Sequence, residues 1–379
     1  MKLNMNAVVF CLLSFSYLFQ NAFSHRCYSS GLSGCECNIL GACDIQGNPV
    51  SGLDKNFTGY APIGIQQFQG GPENLAYLCE EQTTTIMYDC NARIPLYSAT
   101  MMTGKQLNAR YNPLGTSFRY SGDQRLHRSF QQHRSDYLKS SSRNLCYESQ
   151  NGKYVIDKKW FLSTTGAISS LNKDCRAPTP NVQKNIEAKM ARGHLIAAQY
   201  GRGSVSRIRA TFTYTNAVPQ FAPFNSGSWR CSETNLITWG NDRCATDENI
   251  DVRTFIVVGA IPSDFTGRQR YFGQSGFSDF QGWSKLEKTY LNDSGRKEYR
   301  VNVPSYLWTA ACCTFRSQNA HGNSQDGTRS IAFFRSNDPG KSACRPVTPK
   351  TLFEELKRAL NKPTMNTNDI RIFPKNSDC

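Results

Sequence analysis

Residues 191–203 read "ARGHLIAAQYGRG", placing His194 two residues after Arg192 with Gly193 between them. An imidazole exchanges a proton near neutral pH, and an arginine beside it offers a fixed fork of donors to an anion. Only five histidines occur in the chain, so this pairing is a candidate acid–base site. The residue before the arginine is Ala191, where a carboxylate would be a natural partner. Farther along, Asn216, Gln220, Asn225 and Glu233 are polar residues in an otherwise aromatic and apolar stretch. His127 and His133 fall in a polar segment, 105–150, and read as exposed side chains.

These groups need elements to hold them. "RIRATFTYTNAVPQ" (207–220) alternates in a way that predicts a strand with Phe212, Tyr214 and Asn216 on one face. Pro219 and Pro223 should end that strand in a loop. "FNSGSWRCSETNLITWG" (224–240) has Trp229, Glu233 and Leu236 at helical spacing, with Asn225 and Ser226 as N-terminal caps and Gly240 at the end. "YGRGSVSRIR" (200–209) reads as a basic loop, either solvated or lying along a phosphate backbone. A hairpin is expected over 83–101, further strands at 254–261, 298–304 and 329–336, and a helix at 351–361 docked through Leu352, Phe353, Leu356 and Leu360. No internal repeat is present. The fold class is α+β with a largely antiparallel sheet.

Composition narrows the setting. Residues 7–19, "AVVFCLLSFSYLF", form a 13-residue apolar run after Lys2, and Ala22 and Ser24 are small residues spaced for cleavage. The run is short for a membrane span, so residues 1–24 read as a signal peptide and the product as secreted, without a retained membrane helix. Losing Cys11 would leave 14 of the 15 cysteines, an even number that allows seven disulfides of open pairing. Cys312 and Cys313 are adjacent and should bond to different partners. "CECNILGAC" (35–43) fits disulfides better than a metal knuckle, and residues 25–82 read as a Cys-rich N-terminal extension ahead of a main domain, 83–379. Asn56 in "NFT" and Asn292 in "NDS" are N-glycan acceptors. A formal charge of +15 attracts polyanions, or serves solubility alone.

The central segments together resemble the DNA/RNA non-specific endonucleases, which have a ββα-metal fold. "RGHL", "TFTYTNAVPQ", "FNSGSW" and Glu233 are similar to that family's D-R-G-H, T/S-N-x-x-P-Q and N-x-G-x-W elements and to a glutamate eight residues past the second asparagine. The resemblance is dense over 188–240 and extends from 83 to 345, with "ARIPLYSA" (92–99) and "VPSYLWTAA" (303–311) similar to segments of exported animal members. It implies a nucleic-acid substrate, DNA and also RNA, cut to leave a 5′-phosphate. It further implies His194 as general base, Asn225 as ligand of one Mg²⁺ (Mn²⁺ or Ca²⁺ as alternatives), and Glu233 as acceptor for the cation's water. Arg192 would hold a phosphate oxygen, and Asn216 and Gln220 would position substrate or water. Each role suits its chemistry: a base titrating near working pH, a hard ion on few oxygen ligands, a forked donor for an oxyanion.

Two positions depart from the family pattern. Ala191 stands where the family has aspartate, with Glu187 a candidate substitute, and Ile237 stands where it has arginine. The competing reading is a secreted, non-catalytic polyanion-binding or extracellular-matrix protein on a nuclease scaffold. A zinc hydrolase fits poorly, because the histidines do not form the usual pairs. The oligomeric state is not encoded in any of these features.

Overall fold

In the run 254–261, "TFIVVGAI", apolar residues are continuous and not alternating, so both faces of the strand they form must be covered. That strand lies inside a six-stranded antiparallel sheet. The computed structural model describes residues 35–40, 43, 75–89, 94–113, 118, 148–150, 153–155, 190–261, 290–291, 297–298, 304–318, 324–337, 343–359, 372–373 and 379. The elements are β1 (Leu75–Glu80), β2 (Thr84–Asp89), β3 (Ile94–Thr103) and the short α1 (Gly104–Asn108), followed by β4 (Met190–His194) and α2 (Val205–Thr211). Then come β5 (Ala217–Phe221), α3 (Arg230–Arg243), β6 (Asn249–Ile261), β7 (Tyr306–Gln318), β8 (Ser324–Ser336) and α4 (Pro349–Ala359). The main sheet runs β1-β2-β3-β6-β7-β8, and β4 pairs only with β5.

The expected hairpin over 83–101 is present as β2 and β3. The sheet nevertheless begins earlier, because β1 pairs with β2 within the segment ascribed to the extension. The turn between them uses Glu81 and Gln82, both at positive φ (51° and 54°), with the Thr83 N–H donating to the Glu80 carbonyl at 3.0 Å. That backbone suits a tight hairpin, although neither residue is a usual choice for it.

One face of the sheet packs Ile86, Met102, Ile256, Val258 and Ala311 against Leu195, Tyr200, Val218, Trp229 and Leu236 of the β4–α3 segment. The other face packs Met87, Val257, Trp308 and Ala310 against Leu352, Phe353 and Leu356 of α4, as the helical spacing of those residues predicted. The result is a three-layer arrangement with the sheet in the middle. Gly259 makes room for its cross-strand partner on β7, since a Cβ there would lie 2.1 Å from the Trp308 ring.

Among the described residues, disulfides join Cys35–Cys79, Cys37–Cys43, Cys231–Cys344, Cys244–Cys313 and Cys312–Cys379. The neighbours Cys312 and Cys313 do take different partners, and the cysteines of "CECNILGAC" are all in disulfides. Cys27, Cys90, Cys146 and Cys175 lie outside the described residues, as do the signal segment, Asn56, Asn292, His127, His133 and Glu187. Most of the strand expected at 298–304 lies outside them too. Among the described residues, no helix is long and apolar enough to cross a membrane.

Candidate active site

The centre of the chain corrects the sequence reading of 207–220 as a single strand. Val205–Thr211 is helical, a 3₁₀ turn spans Tyr214–Asn216, and only Ala217–Phe221 is extended. Ser204 decides this, because its side chain accepts from the Arg207 N–H and caps a helix that buries Ile208, Ala210 and Thr211. The alternation of apolar residues was real, but a local cap and tertiary burial overrode it. Pro219 sits inside β5 and does not end it, which an edge strand permits.

The segment 200–209 is likewise a 3₁₀ turn and helix, not a basic loop. Two of its arginines are committed to the fold. Arg202 donates to the Gln199 and Leu107 carbonyls, and Arg207 donates to Thr100 Oγ1 and the Met101 carbonyl. Burial lowers the Arg207 pKa to about 10. Neither guanidinium is available as a flexible phosphate contact.

Strands β4 and β5 build the base side of the site. Residues 192 and 194 share one face of β4, while Ala191 and Gly193 share the other, opposite Gln220 and Val218. Gly193 is required by packing: a Cβ there would lie 2.0 Å from Gln220 Cδ. The Gln220 amide donates to the His194 carbonyl at 3.4 Å, and its oxygen is buried without a partner. Asn216 is fully buried, and its side chain accepts from the Ile196 N–H (3.0 Å) and donates to the Ile196 and Thr211 carbonyls (3.0 and 2.9 Å). The side chains of Asn216 and Gln220, expected to position substrate or water, bond backbone on either side of His194. Both are inside the protein, where they fix the backbone on either side of His194.

His194 lies among aromatic rings, 4.7 Å from Phe118 and 4.5 Å edge-on from Phe212 by centroid. Part of the side chain reaches the surface, but Nε2 is enclosed and has no partner. Burial, followed by the charge of Arg192, lowers the imidazole pKa to about 4, so it is neutral at physiological pH. Arg192 donates to the Tyr214 hydroxyl at 3.3 Å and lies 5.2 Å over the Phe118 ring.

Asn225 and Glu233 are on the helix side. Asn225 opens a wide turn, Asn225–Trp229, that runs directly into α3, with Gly227 at non-helical φ −104°, ψ −105°. It is thus not an N-cap, and α3 continues past Gly240 to Arg243. In a regular α-helix a spacing of eight leaves side chains about 80° apart; a wide turn that absorbs one residue shifts them toward one face. Asn225 is half-buried, and among the described residues its amide has no hydrogen-bond partner. Burial raises the Glu233 pKa to about 8, opposed by the charge of Arg230 and by Trp229. The Trp229 indole N–H is itself enclosed and leans toward the Glu233 carboxylate as a weak donor, at a geometry short of a full hydrogen bond. Nearby, burial and then the charge of Glu233 push the Tyr200 phenol well up. Ile237 is buried in the core, 5% exposed, so the family arginine position is a packing position here. The aromatic wall of Phe118 and Phe212 and the Tyr200–Trp229 surround of Glu233 have no motif to announce them. Phe118 lies far from His194 in a polar segment, and its role emerges only in three dimensions.

A profile of the DNA/RNA non-specific endonucleases matches residues 67–358, most of the chain and the whole of this site. The chain belongs to that family. A solved structure, described as the EndoG/EndoGI complex and the mechanism of EndoG inhibition, aligns over 80% of this chain and 92% of that one, with 12% identity and a TM-score of 0.35. No curated protein matches the chain significantly. As a non-specific endonuclease, the protein is of a family that generally depends on a divalent metal. Among the described residues no group of three His, Cys, Asp or Glu could hold one, and the donors the sequence nominated are the amide of Asn225 and the carboxylate of Glu233. Those two donors fit a small, hard, hydrated cation and do not fit a tetrahedral zinc site.

Proposed function

We propose that this nuclease is secreted and disulfide-stabilised, and that it hydrolyses phosphodiester bonds of DNA, and also RNA, with low sequence preference. The observation that carries this reading is the enclosed, neutral imidazole of His194 beside the guanidinium of Arg192 on one strand face. A neutral imidazole accepts the proton of the attacking water as the water oxygen bonds to phosphorus. Arg192 donates to a non-bridging oxygen and offsets the added charge. The bond from phosphorus to the 3′ oxygen breaks, that oxygen takes a proton from solvent, and the products carry a 5′-phosphate and a 3′-hydroxyl. Asn225, through its amide oxygen, and Glu233, through hydration water, would hold a divalent cation, Mg²⁺ first, with Mn²⁺ or Ca²⁺ as alternatives. Bound there, the cation supplies charge relief at the phosphate and the leaving oxygen. Asn216 and Gln220 keep the His194 backbone in place. The net charge of +15 supports binding through phosphates, so affinity should fall steeply with salt.

The test is cleavage of plasmid DNA and of RNA by the oxidised, exported protein, with Mg²⁺ and with EDTA. Metal-dependent cutting of either substrate supports the reading. A folded protein that cuts nothing across several divalent metals overturns it. That result would favour the second reading, a secreted polyanion-binding matrix protein, to which Ala191 and the buried Ile237 lend support.

A further inference from the structure

We propose that Phe118 is a positioning residue for the catalytic imidazole, the wall against which the His194 ring is set. In many acid–base sites a carboxylate or carbonyl on the second ring nitrogen fixes the imidazole. Here, among the described residues, the enclosed imidazole Nε2 has no hydrogen-bond partner, and Ala191 points to the opposite strand face. What remains to hold the ring is packing. Phe118 meets His194 at 4.7 Å with its plane tilted 43°, Phe212 at 5.4 Å and Tyr214 at 5.8 Å, and it lies 5.2 Å beneath the Arg192 guanidinium. It thus touches both groups proposed to act on the phosphate, and Phe212 closes the imidazole edge-on from a second direction.

The same ring sets the electrostatics of the base. Among the described residues, the charged group acting on the imidazole is Arg192 on its own strand, which donates to the Tyr214 hydroxyl; Phe118 and Phe212 contribute only apolar surface. Removing Phe118 admits water to one side of the ring and frees the guanidinium from its stacking surface. Both the orientation of the base and its proton affinity should then relax.

The inference rests on His194 as the base, so one readout is independent of turnover. In the full-length oxidised protein, the His194 ring proton, identified by its loss in His194→Ala, is titrated by NMR in wild type, Phe118→Ala and Phe118→Leu. The midpoint should lie near 4 in wild type and move toward 6.5 in Phe118→Ala, while Phe118→Leu stays close to wild type. Turnover of a plasmid substrate should fall roughly 10- to 100-fold in Phe118→Ala with KM little changed, and the acid limb of kcat/KM should move to higher pH. An unmoved titration midpoint in a folded Phe118→Ala protein overturns the proposal, and so does unchanged or increased turnover. If Phe118→Ala does not fold, Phe118→Leu and Phe118→Gly decide by the same titration. Should wild type and His194→Ala cut equally, the base assignment fails while the titration still judges Phe118.

Discussion

The strand side and the helix side of the site are held by different means. On the strand side, His194 is fixed by short-range order: the Asn216 side chain, which accepts one hydrogen bond and donates two, the Gln220 amide packed over Gly193, and a box of aromatic rings. No disulfide among the described residues reaches β4 or β5. On the helix side, α3 is stapled at both ends, by Cys231–Cys344 near its start and by Cys244–Cys313 at its close. These bonds span 113 and 69 residues, and Asn235 adds a hydrogen bond to the Cys344 carbonyl. A base needs its ring fixed to a fraction of an ångström, which dense local bonding provides. A helix bearing Glu233 needs a fixed place relative to a distant sheet, and a long-range crosslink provides that by limiting the unfolded chain.

The largest break in this contrast should come from Asn216→Ala. It leaves the Ile196 N–H and two carbonyls unsatisfied inside the protein, at a cost of roughly 3 kcal/mol or more. Urea melts should show it, and a loss below about 1 kcal/mol would mean the turn re-forms its bonds elsewhere. Replacing Cys231 and Cys344 together by serine should cost about 2–4 kcal/mol and weaken cation dependence more than it alters the acid limb of activity. Both cysteines are half-buried, whereas Cys244 and Cys313 are fully buried, so mild reductant should open the first bond and spare the second. Peptide mapping after brief reduction checks the order.

Stability against pH should separate the two sides further in metal-free protein. The folded His194 pKa, near 4, is below its ordinary 6.5, so its contribution is full above 6.5 and is lost as pH falls toward 4. The folded Glu233 pKa, about 8, is above its ordinary 4.5, so its contribution is full below 4.5 and is lost as pH rises through 8. His194→Ala should flatten the acid side of a melting-temperature profile and Glu233→Gln the alkaline side; the reverse pattern would contradict both assignments. Ala191→Asp should have the smallest effect on turnover, a modest gain or none, because residue 191 faces Gln220 and not the imidazole. A large loss would show that the Gln220 side has been rebuilt around alanine.

Much of this was legible in the sequence. The linked elements "RGHL", Asn216, Asn225 and Glu233 carried the resemblance to the family, the apolar runs gave the antiparallel α+β class with a strand at 254–261, and the periodicity of 351–361 gave a docked helix. Three things were not. Ser204 as a helix cap outweighed the alternating pattern that followed it. Asn225 looked like a cap because a wide turn fused to a helix has the same local composition as a helix start. The backbone bonds of Asn216 and Gln220 were hidden because a polar residue in an apolar stretch reads the same whether it positions substrate, water or backbone. Burial decides that question, and burial is a property of the fold.

The central claim is that His194 is a neutral base in a working site. Its most direct test is the rate of plasmid cleavage with saturating Mg²⁺ for wild type and His194→Ala, with matched melting curves. The account predicts metal-dependent cutting that falls by roughly 10²- to 10⁴-fold in the variant while the melt stays cooperative. Equal rates in two folded proteins would contradict it.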